Sequence, residues 1–377
     1  MWRTVKLGEY INVQNGYAFN SKLFDADGEI GLIRIRDLKE GVSTETKYTG
    51  DYDRKFVVQR GDLLIGMDGE FRCYEWKGED ALLNQRVCRL QDFDSELDKR
   101  FLLYAINDEL KKIEDVTGFT TVKHLSSKAI KEIPLYLPPL AEQQRIVAKL
   151  DAAFAKIDEA IKFNIQKYDE LDNLFNSYMG KKFNSEEFPR IKLSEVCDFI
   201  GGSQPPKSVF EYEETASNIR LIQIRDYKSD NHIVYIPKDK ARRFCSKSDV
   251  MIGRYGPPIF QILRGIEGSY NVALMKAVPK DSILNDYLFY FLKNPKIQNF
   301  VIKQSIRAAG QSGVNKDALE PYQMHLPSIS HQKGIVKKVT QFEANILEVK
   351  RIYQAKLENL HVLKTAMLAQ ELQSEAA

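Results

Sequence analysis

The same succession of short phrases runs through this chain twice, about 190 residues apart. "VKLGE" at residues 5–9 answers to "IKLSE" at 191–195, "IRIRD" at 33–37 to "IQIRD" at 222–226, and "GDLLIGMDG" at 61–69 to "SDVMIGRYG" at 248–256. Asn84 of "LLNQRV" answers to Asn271 of "SYNVAL", and "FLLYAI" at 101–106 to "YLFYFL" at 287–292. The sixth pair is "LPPLAEQQRIVAKLDAAFAKIDEAI", from residue 137, and "LPSISHQKGIVKKVTQFEANIL", from residue 326. No single match is persuasive, but six in one order identify an internal duplication. A chain of 377 residues is also too long for one ordinary core and predicts two to four domains.

Each copy has one grammar. About 100 residues of short runs that alternate apolar and polar side chains, such as "LIRIRDL" and "DLLIGM", read as strands broken by Gly, Asp and Asn. A helical "RFLLYAINDELKKI" follows, then a polar loop and the strand "IPLYLPP". The expected class is α+β, rich in sheet. Each domain closes at a proline, where a long helix begins. The predicted organisation is a first globular domain over 1–139, a first long helix over 140–183, a second globular domain over 184–328 and a second long helix over 329–377.

In the first helix, Val147, Leu150, Phe154, Ile157, Ile161, Asn164, Tyr168, Leu171, Phe175 and Tyr178 follow one another in steps of three and four, with Asn164 the one polar member. Val339, Phe342, Ile346, Val349, Tyr353, Lys356, Leu360, Leu363 and Met367 do the same in the second, broken by Lys356. Both read as heptad seams. An amphipathic helix docked on its own globular core is the alternative. Length argues against it, because 35 to 40 residues make a rod of roughly 50–60 Å, longer than a flanking domain can cover. Two such rods most economically pack on each other, antiparallel if the repeat has an approximate two-fold axis.

Composition restricts the function classes. With 43% apolar residues, 20 Phe and 18 Tyr the chain is not disordered. No apolar run approaches the roughly 18 residues of a membrane span, and the opening "MWRTVKLGEY" has no apolar core of a leader, so a cytoplasmic protein is expected. Net charge is +3 and names no partner, although residues 189–328 carry 20 basic against 14 acidic side chains. Cys73, Cys88, Cys197 and Cys245 form no CxxC pair and read as buried free thiols. There is no GxxxxGK[ST], no GxGxxG, no Gly-x-Ser-x-Gly, no His-Glu-x-x-His, and no Asp- or Asn-Pro-Pro-Tyr of the kind that holds a flipped base. His124, His232, His325, His331 and His361 are scattered. The chain therefore reads as a non-enzyme with no catalytic, metal or cofactor residues of its own.

The order of domain, "LPPLAEQQRIVAKLD", long helix, second domain, "LPSISHQKGIVKKV" and second long helix resembles the specificity subunit of type I restriction–modification systems over essentially the full chain. The loops "QNGYAFNSKLF" and "GGSQPPKSVF" are similar to the Gly-led loop of such domains. The first junction fits the family pattern. The second departs from it at Ser328, Ser330, His331 and Gly334, so the second helix start is expected to be the looser. The resemblance implies two target recognition domains joined by two long antiparallel helices in a coiled coil, an internal pseudo-two-fold repeat. Each domain would read one half of a bipartite, asymmetric site in double-stranded DNA, and the helix pair would set the spacing and dock two adenine methyltransferase (modification) subunits. It further implies restriction (translocase/nuclease) subunits as partners, and no membrane. No cofactor would bind this chain; S-adenosylmethionine would belong to the modification subunit and ATP with Mg to the restriction subunit.

Reading bases takes donors and acceptors on loops, and holding phosphates takes cations. Three loop sets recur. The first follows "IRIRD/IQIRD" and offers Arg34, Arg36, Gln223 and Arg225. The second, "GMDGEFR" and "GRYGPP", offers Asp68 and Arg72 against Arg254 and Tyr255, with Gln85 and Arg86 beside Asn84. An aspartate suits cytosine N4 and an arginine guanine, so the two domains should prefer different half-sites. The third precedes each closing strand, with Thr120, Thr121, Lys123 and His124 in one copy and Arg307, Gln311, Ser312, Asn315 and Lys316 in the other. Two rivals remain: a methyltransferase or nuclease acting alone, which the missing motifs disfavour, and a coiled-coil scaffold or adaptor without DNA binding, which has no reason to vary its duplicated loops.

Overall fold

The computed structural model describes residues 2–117, 124–307, 313–314 and 316–373, with the backbone alone at 117, 306, 307, 318 and 373. The chain divides into two compact units, Met1–Phe163 with Leu357–Ala377, and Asn164–Lys356. Each long helix thus belongs in part to one unit and in part to the other. The architecture is α+β in both.

In the first unit an antiparallel four-stranded sheet runs in the order Asn12–Asn15, Val87–Gln91, Leu63–Gly66, Cys73–Glu75. A second sheet has the order Phe24–Asp25, Lys47–Tyr48, Ile30–Ile33, Ala81–Leu83, Val57–Val58, with Ile30–Ile33 and Ala81–Leu83 parallel. Arg3–Lys6 pairs with the closing strand Pro134–Leu137. The second unit repeats this plan. Its antiparallel sheet is Cys197–Gly201, Leu274–Pro279, Val250–Gly253, Gln261–Leu263, and its second sheet again holds one parallel pair, Asn218–Ile222 with Gly268–Tyr270. Arg190–Lys192 pairs with Gln323–His325.

The duplicated phrases have physical causes. In "GDLLIG" and "SDVMIG" the four strand residues are buried in both copies, and the preceding Asp holds a turn. Asp62 Oδ2 accepts from the Gln59 amide and pairs with Arg89 at 2.9 Å; Asp249 Oδ2 accepts from the Ser246 amide and pairs with Lys276 at 3.2 Å. "IRIRD" corrects an expectation. The strand ends at Ile33, and Ile35–Asp37 is a 3₁₀ turn, because the Asp37 carboxylate accepts from the Arg34 amide at 2.8 Å. Asp226 does the same for Gln223 at 3.1 Å. A short side-chain acceptor three residues on diverts the backbone from the ladder. The four cysteines are free and buried, and burial pushes the Cys88 and Cys197 thiols up to about 12.

The long helices span Leu140–Phe183 and Ile329–Gln373. Within each unit their segments run antiparallel. In the first, Lys149 pairs with Glu371 and Lys364 with Asp158, while Leu360, Met367 and Leu368 pack against the core that holds Val147, Leu150, Phe154 and Ile157. In the second, Lys350 pairs with Asp172, and Phe342 stacks on Tyr178 at 4.2 Å and on Phe175 at 6.4 Å. Val339 and Ile346 are buried; Ile161, Tyr168, Leu171, Val349 and Tyr353 are half-buried. The second seam is corrected beyond Tyr353. Leu363 is 47% exposed, and the covered positions are Leu357, Leu360, Lys364 and Met367. The step from Tyr353 is four residues to Leu357, which leaves Lys356 and Leu363 on the outer face. Lys364 earns its covered place through its ammonium, which pairs with Asp158 and lies 4.8 Å from the Phe154 ring centroid. Among the described residues no helix is long and apolar enough to cross a membrane.

Candidate nucleic-acid interface

Backbone contacts bring two of the three loop sets together in each unit. In the first, the Gly-led loop after Asn12–Asn15 lies on the turn that follows Ala81–Leu83: Tyr17 donates its amide to Leu83 O at 2.9 Å, and Gln85 donates to Tyr17 O at 2.8 Å. A Cβ on Gly16 would stand 2.0 Å from Asn84 O, so only glycine permits this approach. In the second unit Ser203 donates to Tyr270 O at 3.1 Å, and a Cβ on Gly202 would stand 1.9 Å from Asn271 O. The loop after the central strand joins the same cluster. Met67 donates to Arg86 O and accepts from the Leu125 amide; at the matching position Arg254 donates to Ala273 O and accepts from the Val314 amide. The scaffold of the cluster is thus the same in both units, and its side chains differ.

In the first unit the cluster is a triad built around one carboxylate. Asp68 lies 3.0 Å from Arg86 Nη1 and 2.8 Å from His124 Nδ1. Arg86, at φ +80°, is held in the left-handed region with its side chain 57% exposed, so the pairing presents a cation while occupying the carboxylate. Arg72 is exposed and 3.5 Å from Glu70, and Gln85 is exposed. Tyr17, which sequence reasoning passed over, is 53% exposed beside Gln85 and packs edge-on against Phe19. Its one sequence signal was the "GY" directly after a strand.

In the second unit the cluster is cationic and aromatic. Arg254 donates from Nε to Val314 O at 2.8 Å and from Nη1 to Val272 O at 3.1 Å, and its guanidinium lies over the Tyr255 ring at 5.2 Å. This arginine ties three loops together. Tyr255 packs on Gly313, where a Cβ would stand 2.4 Å from the ring. Lys316 is exposed, 4.0 Å from Glu320. Thr120, Thr121, Lys123, Gln311, Ser312 and Asn315 lie outside the described residues, as does the side chain of Arg307.

The "IRIRD/IQIRD" set is placed differently. Arg34 hydrogen-bonds Thr46 and lies over the Phe24 ring, and Gln223 has its side-chain nitrogen buried with no hydrogen-bond partner among the described residues. Arg36 stays 61% exposed, 3.8 Å from Asp37, and Arg225 is exposed. Ile35 and Ile224 wedge these turns against Gly66 and Gly253. Among the described residues no group of three or more His, Cys, Asp or Glu side chains could hold a metal ion.

At the base of each domain, two residues of the repeated junction prove buried. Gln143 and Gln332 are both 0% exposed at the starts of the long helices. The second start is not looser than the first: Gln332 makes the same three hydrogen bonds as Gln143, and Ser328 Oγ meets His331 Nδ1 at 2.8 Å.

Comparison with known proteins gives a consistent answer. The profile described as the type I restriction modification DNA specificity domain matches twice, over residues 1–167 and 185–359. The chain is 29% identical, over 419 aligned positions, to the type I restriction enzyme EcoBI specificity subunit of Escherichia coli, covering 99% of this chain and 86% of that protein. It is 21% identical to the MjaVIII specificity subunit of Methanocaldococcus jannaschii, covering 97% and 93%. Two solved structures share the fold. One is a chain from a study of complex assembly and conformational transition of the type I R-M system, with TM-score 0.72 at 18% identity, covering 98% of this chain and 97% of that one. The other is the HsdS subunit from Thermoanaerobacter tengcongensis, with TM-score 0.54 at 19% identity, covering 99% and 96%.

Proposed function

The chain belongs to the family of type I restriction–modification DNA specificity subunits, and from that premise we propose that it reads a split DNA site, one half with each globular domain. The observation that carries this reading is the duplicated loop cluster: one backbone scaffold, built around Gly16 and Asn84 and again around Gly202 and Asn271, presents Asp68, Arg86 and His124 in one unit and Arg254 and Tyr255 in the other. Equal scaffolds bearing unequal donors and acceptors suit two unlike half-sites. The helix pair sets the separation of the halves and docks the modification subunits; helices of 44 and 45 residues make rods of roughly 65 Å, about two turns of duplex at ~34 Å per turn. The chain performs no chemistry in this scheme. S-adenosylmethionine is used by the modification subunits, and ATP with Mg by the restriction subunits.

Pairing refines the choice of reading residues. Asp68 already serves Arg86 and His124, so the exposed side chain of Arg86 is the better base or phosphate contact. Arg254 is occupied by two carbonyls, which leaves Tyr255 to face the ligand. Methylation assays on randomised sites with the assembled complex test this. Arg86→Ala should relax one half-site and Tyr255→Ala the other, each by about 1–3 kcal/mol per base read, or roughly fivefold to 150-fold. Two variants that leave both half-sites unchanged would refute the assignment.

A further inference from the structure

The two junction glutamines make identical sets of bonds. Gln143 Nε2 donates to Glu96 O at 2.8 Å and to Pro138 O at 2.9 Å, while its Oε1 accepts from the Asp98 amide at 2.8 Å. Gln332 Nε2 donates to Ser282 O and Pro327 O, both at 2.9 Å, and its Oε1 accepts from the Leu284 amide at 2.8 Å. Each amide stitches three segments at one point: the start of the long helix, the end of the closing strand, and the loop that launches the domain's own helix, Lys99–Thr117 or Asn285–Lys293. A fully buried amide with three bonds of good length is a stiff joint, since every bond lost there strands a buried donor or acceptor.

A second tie lies further along each long helix. Tyr104 donates to Asp151, which also accepts from Arg100 at 2.7 Å; Tyr290 donates to Glu343 at 2.7 Å, which pairs with Lys293 at 3.2 Å. The chemistry of this tie varies between the copies, whereas that of the glutamine does not. Two points of attachment fix a direction as well as a position.

We propose that Gln143 and Gln332 are positioning residues for target recognition: each locks the angle at which its reading domain stands on the spacer helix, so that the two half-sites are accepted at one separation only. This rests on the split-site reading given above. The leverage is sufficient, because slack of about 10° over a lever of about 20 Å moves a loop by roughly 3.5 Å, close to one base-pair step of ~3.4 Å.

The test uses the full chain assembled with its modification subunits, on duplexes that carry both half-sites at the native spacing and at one base pair more or less. Gln143→Met keeps the volume and deletes the amide, and Gln143→Asn keeps the amide but shortens its reach, so the milder variant serves if the first fails to fold. Gln332→Asn repeats the test at the other end. The expected result is an unchanged half-site sequence with the preference for the native spacing reduced about tenfold. A head-interior variant, Leu64→Val, should lose stability yet keep the sharp spacing preference. Glutamine variants that lose stability or rate while keeping the wild-type spacing profile would overturn the proposal and reduce these residues to packing. A wild-type complex that methylates no split site refutes the parent reading instead, and is a separate outcome.

Discussion

The Asp226 carboxylate is wholly withdrawn from solvent; one oxygen accepts from the Gln223 amide, and Oδ1 has no hydrogen-bond partner among the described residues. Arg220 Nε stands 3.6 Å from Oδ2, too far for a hydrogen bond. Burial raises the Asp226 pKa above the ordinary carboxylate value, against the pull of the Gln223 amide and Arg220. The folded state therefore binds this proton more tightly than the unfolded one, and stability falls as pH rises from the unfolded pKa through the raised folded one. Asp226→Asn keeps an acceptor for the amide and removes the buried charge. It should raise Tm at pH 7.5, with the gain shrinking toward pH 4 in parallel thermal melts; a lower Tm at pH 7.5 would contradict this account. Such roles were only partly legible beforehand. The repeat of "IRIRD" was visible, but its Asp as a turn cap was not, because strand-like alternation masked a bond spanning three residues. The pairing of Asp68 with Arg86 and His124 joins positions 18 and 56 residues apart, a distance that no local pattern encodes.

Secondary elements were more legible, for a physical reason. A heptad seam carries its own period, so the first helix could be read nearly whole, and all its apolar seam residues are buried or half-buried. The second seam failed at Lys356 because a strict alternation of three and four has two continuations there, and a lysine's apolar stem can take either. Leu360, Lys364 and Met367 follow the continuation through Leu357. Denaturant melts separate the two registers: Leu150→Ala, at a fully buried position, should cost about 2–5 kcal/mol, and Leu363→Ala no more than about 0.5 kcal/mol. Equal losses would restore Leu363 to the seam. The junction phrase repeats in both copies, yet nothing in its local pattern marks the glutamine at its centre as buried. Its worth lies in two carbonyls and an amide supplied by segments 5 to 50 residues away.

At the scale of the whole chain, duplication was the most legible feature, because six ordered matches survive even where individual residues drift. What duplication could not reveal was which parts keep their contacts and which vary. The structure separates them: backbone contacts around Gly16 and Gly202 repeat, as do the Asp62–Arg89 and Asp249–Lys276 pairs, while the side chains on the clustered loops diverge. The central claim is that this one chain reads two separated half-sites. Sequencing modified bases in cells that carry the chain with its modification partner tests it most directly. The account predicts methyl-adenine in one bipartite motif with unlike halves and a fixed gap, lost when the chain is deleted. An undivided motif, or modification that persists without the chain, would contradict it.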